Sequence, residues 1–552
     1  MSPFVAGLGQ VGLLVMALAA CYRPLGDHMA RVYGAEGHWR LERGIYRLAR
    51  VNPDSEQRWT TYAAAVLGFS FVSIVLLYLM QRLQPLLPLG FGRGAVEPGM
   101  AFNTAVSFVT NTNWQSYAGE EVLGHTVQMA GLTVQNFVSA AVGMAVAVAL
   151  VRGFVRARTD RLGNFWVDLT RGTVRILLPI AAIAAILLVA LGTVMSLARG
   201  IQVVGVDGIT RTIALAPTAS QEAIKELGTN GGGIFNANSA HPFENPNAWS
   251  NLFENFLLLL VPVALTRTFG QMVGDRKQGY VLLSVMGLLW TVMLAASWWA
   301  ETHPNGVASL AAGAAMEGKE VRFGIPASVL WEVSTTGTST GAVNSMHDSF
   351  TGLGGGVALL NMLLGEVAPG GVGAGLYGIL VLAVIAVFLA GLMVGRTPEY
   401  LGKKLGRREV TAAAIAMLAM PTVVLLGTGL ALLLPSTPDF MTNTGSHGLA
   451  EVLYAYGSAG NNNGSAFAGM TVTSDFFQAT LGVAMLLGRF LPILAVLALA
   501  GSLAQQRRVP ATAGTLPTGS PLFVGMLTGT VVLVAALTFL PALALGPIAE
   551  AL

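Results

Sequence analysis

The chain has 552 residues, of which 53% are hydrophobic and only 11% charged, with a mean hydropathy of +0.63. Soluble domains carry about 25% charged residues, so the composition excludes an ordinary water-soluble protein and points to one that crosses a membrane many times. The net charge is +3, and the single cysteine, Cys21, excludes an internal disulfide and any cysteine-ligated zinc or iron–sulfur site.

Ten apolar stretches reach or approach the roughly 20 residues of a spanning helix. They lie near 3–22, 61–80, 126–150, 173–198, 252–272, 279–299, 355–394, 411–435, 476–503 and 521–548. The first has no basic leader and no small-residue cleavage site, and reads as a retained helix. The seventh is too long for one plain span. It contains GEVAPGGVGAG (365–375), which predicts a helix broken at mid-membrane.

The connections after the odd-numbered spans hold 21 of the 31 Lys and Arg, and the opposite connections hold seven. Arg175, Arg267 and Arg489 fall inside spans. The positive-inside rule then predicts that odd-numbered spans end in the cytoplasm and that both termini lie outside.

Four of the outer connections share one plan, a weakly apolar helical run followed by a Thr/Ser/Asn/Gly strip. The runs are Ala101–Phe108, Ala219–Leu227, Pro326–Val333 and Gly448–Tyr456. The strips are VTNTNWQ (109–115), GTNGGG (228–233), STTGTSTGAVN (334–344) and GSAGNNNGSAF (457–467). The expected fold is therefore an all-α polytopic membrane protein: ten transmembrane helices, with four membrane–pore–membrane repeats around a central pore and one extra helix at each end. The divisions are an N-terminal helix with a basic loop (1–60), repeats at 61–150, 173–272, 279–395 (second helix broken) and 411–503, and a C-terminal helix (521–552).

A non-helical strip inside a membrane must be shielded by protein or line a watery cavity. Four such strips around one axis would form a ring of carbonyl and hydroxyl oxygens able to replace the water shell of a potassium ion. Gly231, Gly341 and Gly464 are expected at that ring, flanked by Thr229, Asn230, Ser339, Thr340, Asn462 and Asn463. The first strip has no glycine, so Thr110, Asn111, Thr112 and Asn113 must supply its ligands, with Gln115 at the entrance. Taken singly, each strip is read equally well as a buried capped turn; the set of four favours a pore.

Glu366 sits at the break in span seven and Arg489 within span nine. A lone intramembrane charge is costly, so such residues pair, face a cavity or serve transport. Two arrangements are open: both face a cavity below the strips, or they form a mutual salt bridge. Glu120, Glu121, Glu226, Glu244, Glu332, Asp348, Glu451 and Asp475 surround the strips, either to concentrate cations or as solvated surface charge. No complete Walker A loop, Asp-Lys-Thr-Gly-Thr motif or His-Glu-x-x-His pair occurs, so the chain is not expected to bind or hydrolyse ATP itself.

The stretches SFVTNTNWQSYAGE (107–120), IKELGTNGGGIFNANSAHPFENP (224–246), STGAVNSMHDS (339–349), GRTPEYLGKKLGRREV (395–410) and LYAYGSAGNNNGSAFAG (453–469) resemble the potassium-binding A subunits of bacterial Kdp potassium-transporting ATPases, relatives of the Trk/Ktr/HKT transporters. The resemblance runs over essentially the whole chain. It implies a non-catalytic subunit of the bacterial inner membrane that takes up extracellular K+ and works with the P-type ATPase B subunit and the small C and F subunits. The ion passes sideways to the B subunit through an intersubunit tunnel. Membrane lipid is the other expected partner, and nucleic acid is not.

Carried over residue by residue, the resemblance implies a filter at Asn111, Thr112 and Asn113, at Thr229, Asn230 and Gly231, at Thr340 and Gly341, and at Asn462, Asn463 and Gly464. Gln115 and Ser339 lie beside it, with Glu366 and Arg489 near the tunnel below. The third strip reads Ser339-Thr340-Gly341 where a well-known member carries Ser-Cys-Gly. Two other functions compete with that of a pump component. One is a self-sufficient channel or symporter of the same pore class; the other is an intramembrane enzyme, for which no nucleophile–base or metal constellation is visible.

Overall fold

The computed structural model describes residues 3–303, 316–510 and 514–552. The first two residues of the 1–60 segment and residues 304–315 of the third repeat lie outside them. Among the described residues, ten helices are long and apolar enough to cross a membrane. In chain order, with the short helices between them, they are α1 (Pro3–Gly34), α2 (Trp59–Arg82), α3 (Pro98–Val109), α4 (Val127–Val155), α5 (Phe165–Leu191), α6 (Thr218–Leu227), α7 (Ala248–Met272), α8 (Arg276–Thr302), α9 (Gly324–Thr336), α10 (Gly352–Leu363), α11 (Ala374–Met393), α12 (Arg407–Leu432), α13 (Gly445–Asn461), α14 (Asp475–Gln505) and α15 (Pro521–Ala551). The short helices α3, α6, α9 and α13 each stand between two spans, as the four-repeat reading expects.

Within every repeat the second span is more enclosed than the first. The buried share of the apolar window is 83% for α4 against 28% for α2, and 78% for α7 against 33% for α5. It is 67% for α11 against 44% for α8, and 56% for α14 against 22% for α12. The second spans therefore form the inner wall. Small residues let them pack closely: a Cβ on Gly143 of α4 would lie 2.3 Å from the Val372 carbonyl oxygen, and one on Gly153 2.7 Å from that of Ala500 in α14.

Several boundaries differ from the sequence expectation, the fourth span for example starting at Phe165 rather than near 173. Residues 23–34, read as the start of a basic loop, continue α1 through Pro24. This extension docks on α7, where Gly26 lies against Arg267 and Asp27 Oδ1 meets Arg267 Nε at 2.7 Å. The fourth span ends at Leu191 rather than near 198, because Gly192 takes a left-handed cap with φ 105°. The chain beyond forms a hairpin of Gly200–Val204 with Thr210–Ala214, in register from Gly200 opposite Ala214 to Val204 opposite Thr210.

The break expected in span seven is present. Helix α10 stops at Leu363 and α11 starts at Ala374. Between them Gly365, Glu366, Gly370 and Gly373 all have positive φ. The segment turns back against the strips: Gly370 N donates to Gly337 O (2.7 Å) and Val372 N to Thr229 Oγ1 (2.9 Å).

Candidate functional site

Helices α3, α6, α9 and α13 run into the strips, so the negative ends of their dipoles converge there. Immediately after each helix the chain turns through one left-handed residue: Asn111 (φ 65°), Thr229 (φ 47°), Ser339 (φ 45°) and Asn462 (φ 61°). Counting on from these positions, Thr112, Asn230, Thr340 and Asn463 are equivalent, and so are Asn113, Gly231, Gly341 and Gly464.

The strips close a ring. Asn111 Nδ2 donates to Thr229 O (2.7 Å), tying the first to the second. Gly341 N donates to Asn230 O (2.8 Å), tying the third to the second. Asn463 Nδ2 reaches Thr335 O (3.0 Å), at the base of the third strip. Asn462 Nδ2 reaches Thr112 Oγ1 (3.0 Å), joining the fourth to the first.

Glycine is required at this ring mainly for close approach. A Cβ on Gly231 would lie 2.4 Å from Gly341 Cα, one on Gly341 2.7 Å from the Gly464 carbonyl carbon, and one on Gly464 1.6 Å from Thr112 O. Among these three only Gly464 has a positive φ, 96°. Backbone freedom is therefore a reason for glycine at Gly464 alone among the three. In the first strip Asn113 holds the equivalent place with φ 60°, a conformation that asparagine tolerates better than most residues.

The hydroxyls of Thr112 and Thr340 turn back onto their own strips, to Thr110 Oγ1 (2.8 Å) and Thr338 Oγ1 (2.9 Å). The backbone carbonyls of Asn113, Gly231, Gly341 and Gly464, one from each strip, accept no hydrogen bond from any described residue, although all four residues are buried. Buried carbonyls are nearly always paired; those of Thr112 and Asn463, one residue earlier in their strips, also lack a donor among the described residues, so the strips leave carbonyl oxygens open around the ring.

Cavities flank the ring. One, of about 390 Å³, touches Asn113, Gly232, Gly341 and Gly464, and is rimmed by Gln115 and Asn238. Gln115 Oε1 accepts from Gly233 N at 2.7 Å, which fixes its side chain at the rim. The other cavity, of about 120 Å³, lies on the side of the broken helix. Ser339, Asn462, Glu366 and Arg489 line it, and it extends between α11, α12 and α15 past Tyr377, Met420 and Phe539.

Glu366 accepts hydrogen bonds from Ser339 Oγ and from Asn463 Nδ2 (2.8 Å for the latter). No ion pair joins it to Arg489 within 4.0 Å. Of the three arginines that the sequence places inside spans, Arg267 pairs with Asp27 and Arg175 with Glu42, while Arg489 pairs with no described carboxylate. The two residues share a cavity wall rather than a salt bridge.

The acidic residues around the strips divide. Glu121 and Asp475 are exposed, and Glu120 and Asp348 partly so. Glu226, Glu244, Glu332 and Glu451 are buried. A solvated-charge reading fails for these four because Glu226, Glu332 and Glu451 sit on enclosed short helices, and Glu244, from the segment after α6, is folded against Lys225.

Several supporting residues escaped the sequence reading. Ser139 Oγ donates to Asn111 Oδ1 (2.6 Å), Asn136 Oδ1 accepts from Asn113 (3.1 Å), and Asn238 Nδ2 holds Gly232 O (2.7 Å). Thr335 Oγ1 bonds both Thr340 O (2.6 Å) and Ala342 O (2.5 Å). The signal for Asn136 and Ser139 was their polarity inside an apolar span.

The chain matches the family model for the potassium-transporting ATPase A subunit over residues 12–552. It is 62% identical to the potassium-transporting ATPase potassium-binding subunit of Rhodococcus erythropolis, over 100% of both chains. The protein of the same name from Mycobacteroides abscessus is 61% identical, over 100% of this chain and 99% of the relative. Among solved structures, the potassium transporter TrkH from Vibrio parahaemolyticus superposes with a TM-score of 0.50 at 14% identity, over 72% of this chain and 77% of that one, and shares the fold.

Proposed function

The chain belongs to the potassium-transporting ATPase A subunit family, and from that premise we propose that its four strips are the potassium filter of an ATP-driven uptake pump. The observation that carries this reading is the set of unbonded carbonyls at Asn113, Gly231, Gly341 and Gly464. A dehydrated potassium ion needs several neutral oxygens at once, and ring carbonyls supply them without a fixed negative charge that would hold the ion too tightly. The filter comprises Asn111 to Asn113, Thr229 to Gly231, Thr340 with Gly341, and Asn462 to Gly464. Gln115 and Ser339 are its neighbours at the two ends.

Potassium enters from outside through the larger cavity, sheds water at the ring and reaches the smaller cavity. There the Glu366 carboxylate attracts it, while the unpaired Arg489 guanidinium opposes its passage straight through the membrane. The extension of that cavity between α11, α12 and α15 gives a sideways route toward the P-type ATPase B subunit. ATP is hydrolysed there, and the small C and F subunits complete the assembly. The chain lies in the bacterial inner membrane with both termini outside, divided into the four repeats and two flanking helices delimited above.

Gly231→Asp tests the filter. Its side chain would enter the 2.4 Å approach to Gly341, so discrimination of K+ from Rb+ and Na+ in complex-driven uptake should collapse. Unchanged discrimination would remove the strips from the role. Steady K+ uptake into liposomes holding this chain alone, with neither ATP nor the ATPase component, would mark it as a self-sufficient channel instead.

A further inference from the structure

Behind the second strip lies a set of charges that the filter does not use. Glu222 and Glu226 stand one turn apart on α6, Glu254 is on the second turn of α7, and Glu244 comes from the segment between these helices. Lys225 lies among them. All five are at most 1% exposed.

The single ammonium is already committed. Lys225 Nζ is 2.7 Å from Glu222 and 2.8 Å from Glu244, with Asn238 Oδ1 and Ser239 Oγ at 3.1 and 3.0 Å. It stands 3.9 Å from Glu226. Glu244 is further satisfied by Phe235 N (3.1 Å) and Glu222 by Ser239 Oγ (2.7 Å). The remaining oxygens are not satisfied. Both oxygens of Glu254, and Oε2 of Glu226, are fully buried without a hydrogen-bond donor among the described residues.

Four carboxyl groups thus face one lysine in a buried site, and buried charge of that kind must be compensated. One oxygen each from Glu222, Glu226 and Glu254 lies within 4.8 Å of the others. Calcium binds oxygen at about 2.3–2.6 Å, so its donors sit no more than about 5 Å apart. A smaller magnesium ion demands a tight octahedron of ligands at about 2.0–2.1 Å, which oxygens spread over as much as 4.8 Å suit less well. No histidine or cysteine belongs to the trio, so a soft transition metal is disfavoured. A monovalent ion would leave more of the excess charge standing.

We propose that Glu222, Glu226 and Glu254 hold a calcium-sized divalent cation, separate from the transported ion, that braces the second strip. The connection to the strip is direct. Asn230 N donates to Lys225 O (2.8 Å) and Thr229 N to Glu226 O (3.1 Å), so the last turn of α6 carries one of the cation ligands, Glu226, and anchors the start of the strip. This inference does not depend on the transport role, because cation retention is measured without transport.

The test uses the purified membrane complex, with Ca2+ as the probe. Calcium content after gel filtration and the thermal midpoint with added Ca2+ or with EGTA are measured for the wild type, Glu254→Gln and Glu226→Gln. The expected result is about one calcium per chain in the wild type, with a midpoint that Ca2+ raises and EGTA lowers. Either substitution should abolish both. A wild type that neither retains calcium nor shifts its midpoint would overturn the proposal, as it would mean that protons neutralise the cluster. Calcium retained undiminished by a folded Glu254→Gln or Glu226→Gln chain would overturn it equally. If Glu254→Gln fails to fold, the wild type and Glu226→Gln still decide.

Discussion

Gly464 and Thr112, from the last strip and the first, meet so closely that a methyl group on Gly464 would lie 1.6 Å from the Thr112 carbonyl oxygen. This contact closes the ring between the two ends of the sequence. Gly464→Ala must both strain a φ of 96° and displace that carbonyl. The expected outcome is a loss of apparent K+ affinity on the order of tenfold or more, the equivalent of about 1.4 kcal/mol. Titration of K+-dependent ATPase activity in the purified complex measures it.

The polar residues of α4 support the first strip from behind. Ser139→Ala removes the 2.6 Å bond to the buried Asn111 Oδ1. That oxygen keeps its bond from Asn230 Nδ2 (2.7 Å), so the loss is that of one hydrogen bond, about 0.5–1.5 kcal/mol. The thermal midpoint of the complex should fall and K+ affinity should weaken, whereas substitution of an exposed serine on a lipid-facing span should do neither.

Glu366 and Arg489 line one cavity without pairing, so neutralising each should have a different effect. Glu366→Gln keeps the shape but removes the charge, and ATP-driven uptake should drop on the order of tenfold, as expected for losing about 1.4 kcal/mol of charge interaction. Arg489→Gln should instead raise passive K+ leak through proteoliposomes when the ATPase is inhibited. Identical behaviour of both variants in both assays would return the pair to a purely structural role.

Lys225 is fully buried between Glu222 and Glu244. Lys225→Met leaves those carboxylates uncompensated, a change that costs about 3–5 kcal/mol for buried pairs. A large drop in thermal midpoint is expected, and the second strip should become accessible to proteolysis.

His447 bridges Asp348 and Glu550, each at 2.9 Å. These two hydrogen bonds push its imidazole up to about 10 from 6.5, against the opposing effect of burial. Since the folded value is the higher, the stabilisation is complete below pH 6.5 and is lost as pH rises toward 10. The midpoint difference between wild type and His447→Gln should therefore be largest in mild acid and shrink through the alkaline range.

Much of this architecture was legible in the sequence, for identifiable reasons. The break at Glu366 is announced by the glycines and proline around it, and the four short helices by their position between a span and a glycine- or asparagine-rich strip. The continuation of α1 to Gly34 was hidden because Arg23 and Arg31 look like loop charges; only docking onto α7 keeps that segment helical. The hairpin at residues 200–214 was missed because its strands are only five residues long. The ring glycines were found, but not the dominant reason for them at Gly231 and Gly341, which is contact between strips far apart in sequence. The burial of Glu226, Glu244, Glu332 and Glu451 likewise depends on which helices enclose them.

The central claim is that four carbonyls, one from each strip, bind the transported ion. The most direct test is a structure of the complex with thallium, a heavy substitute for potassium, located by its anomalous scattering. The predicted result is a peak inside the ring, within coordination distance of the carbonyl oxygens of Asn113, Gly231, Gly341 and Gly464. A complex that binds thallium in solution yet shows no peak between the strips would contradict it.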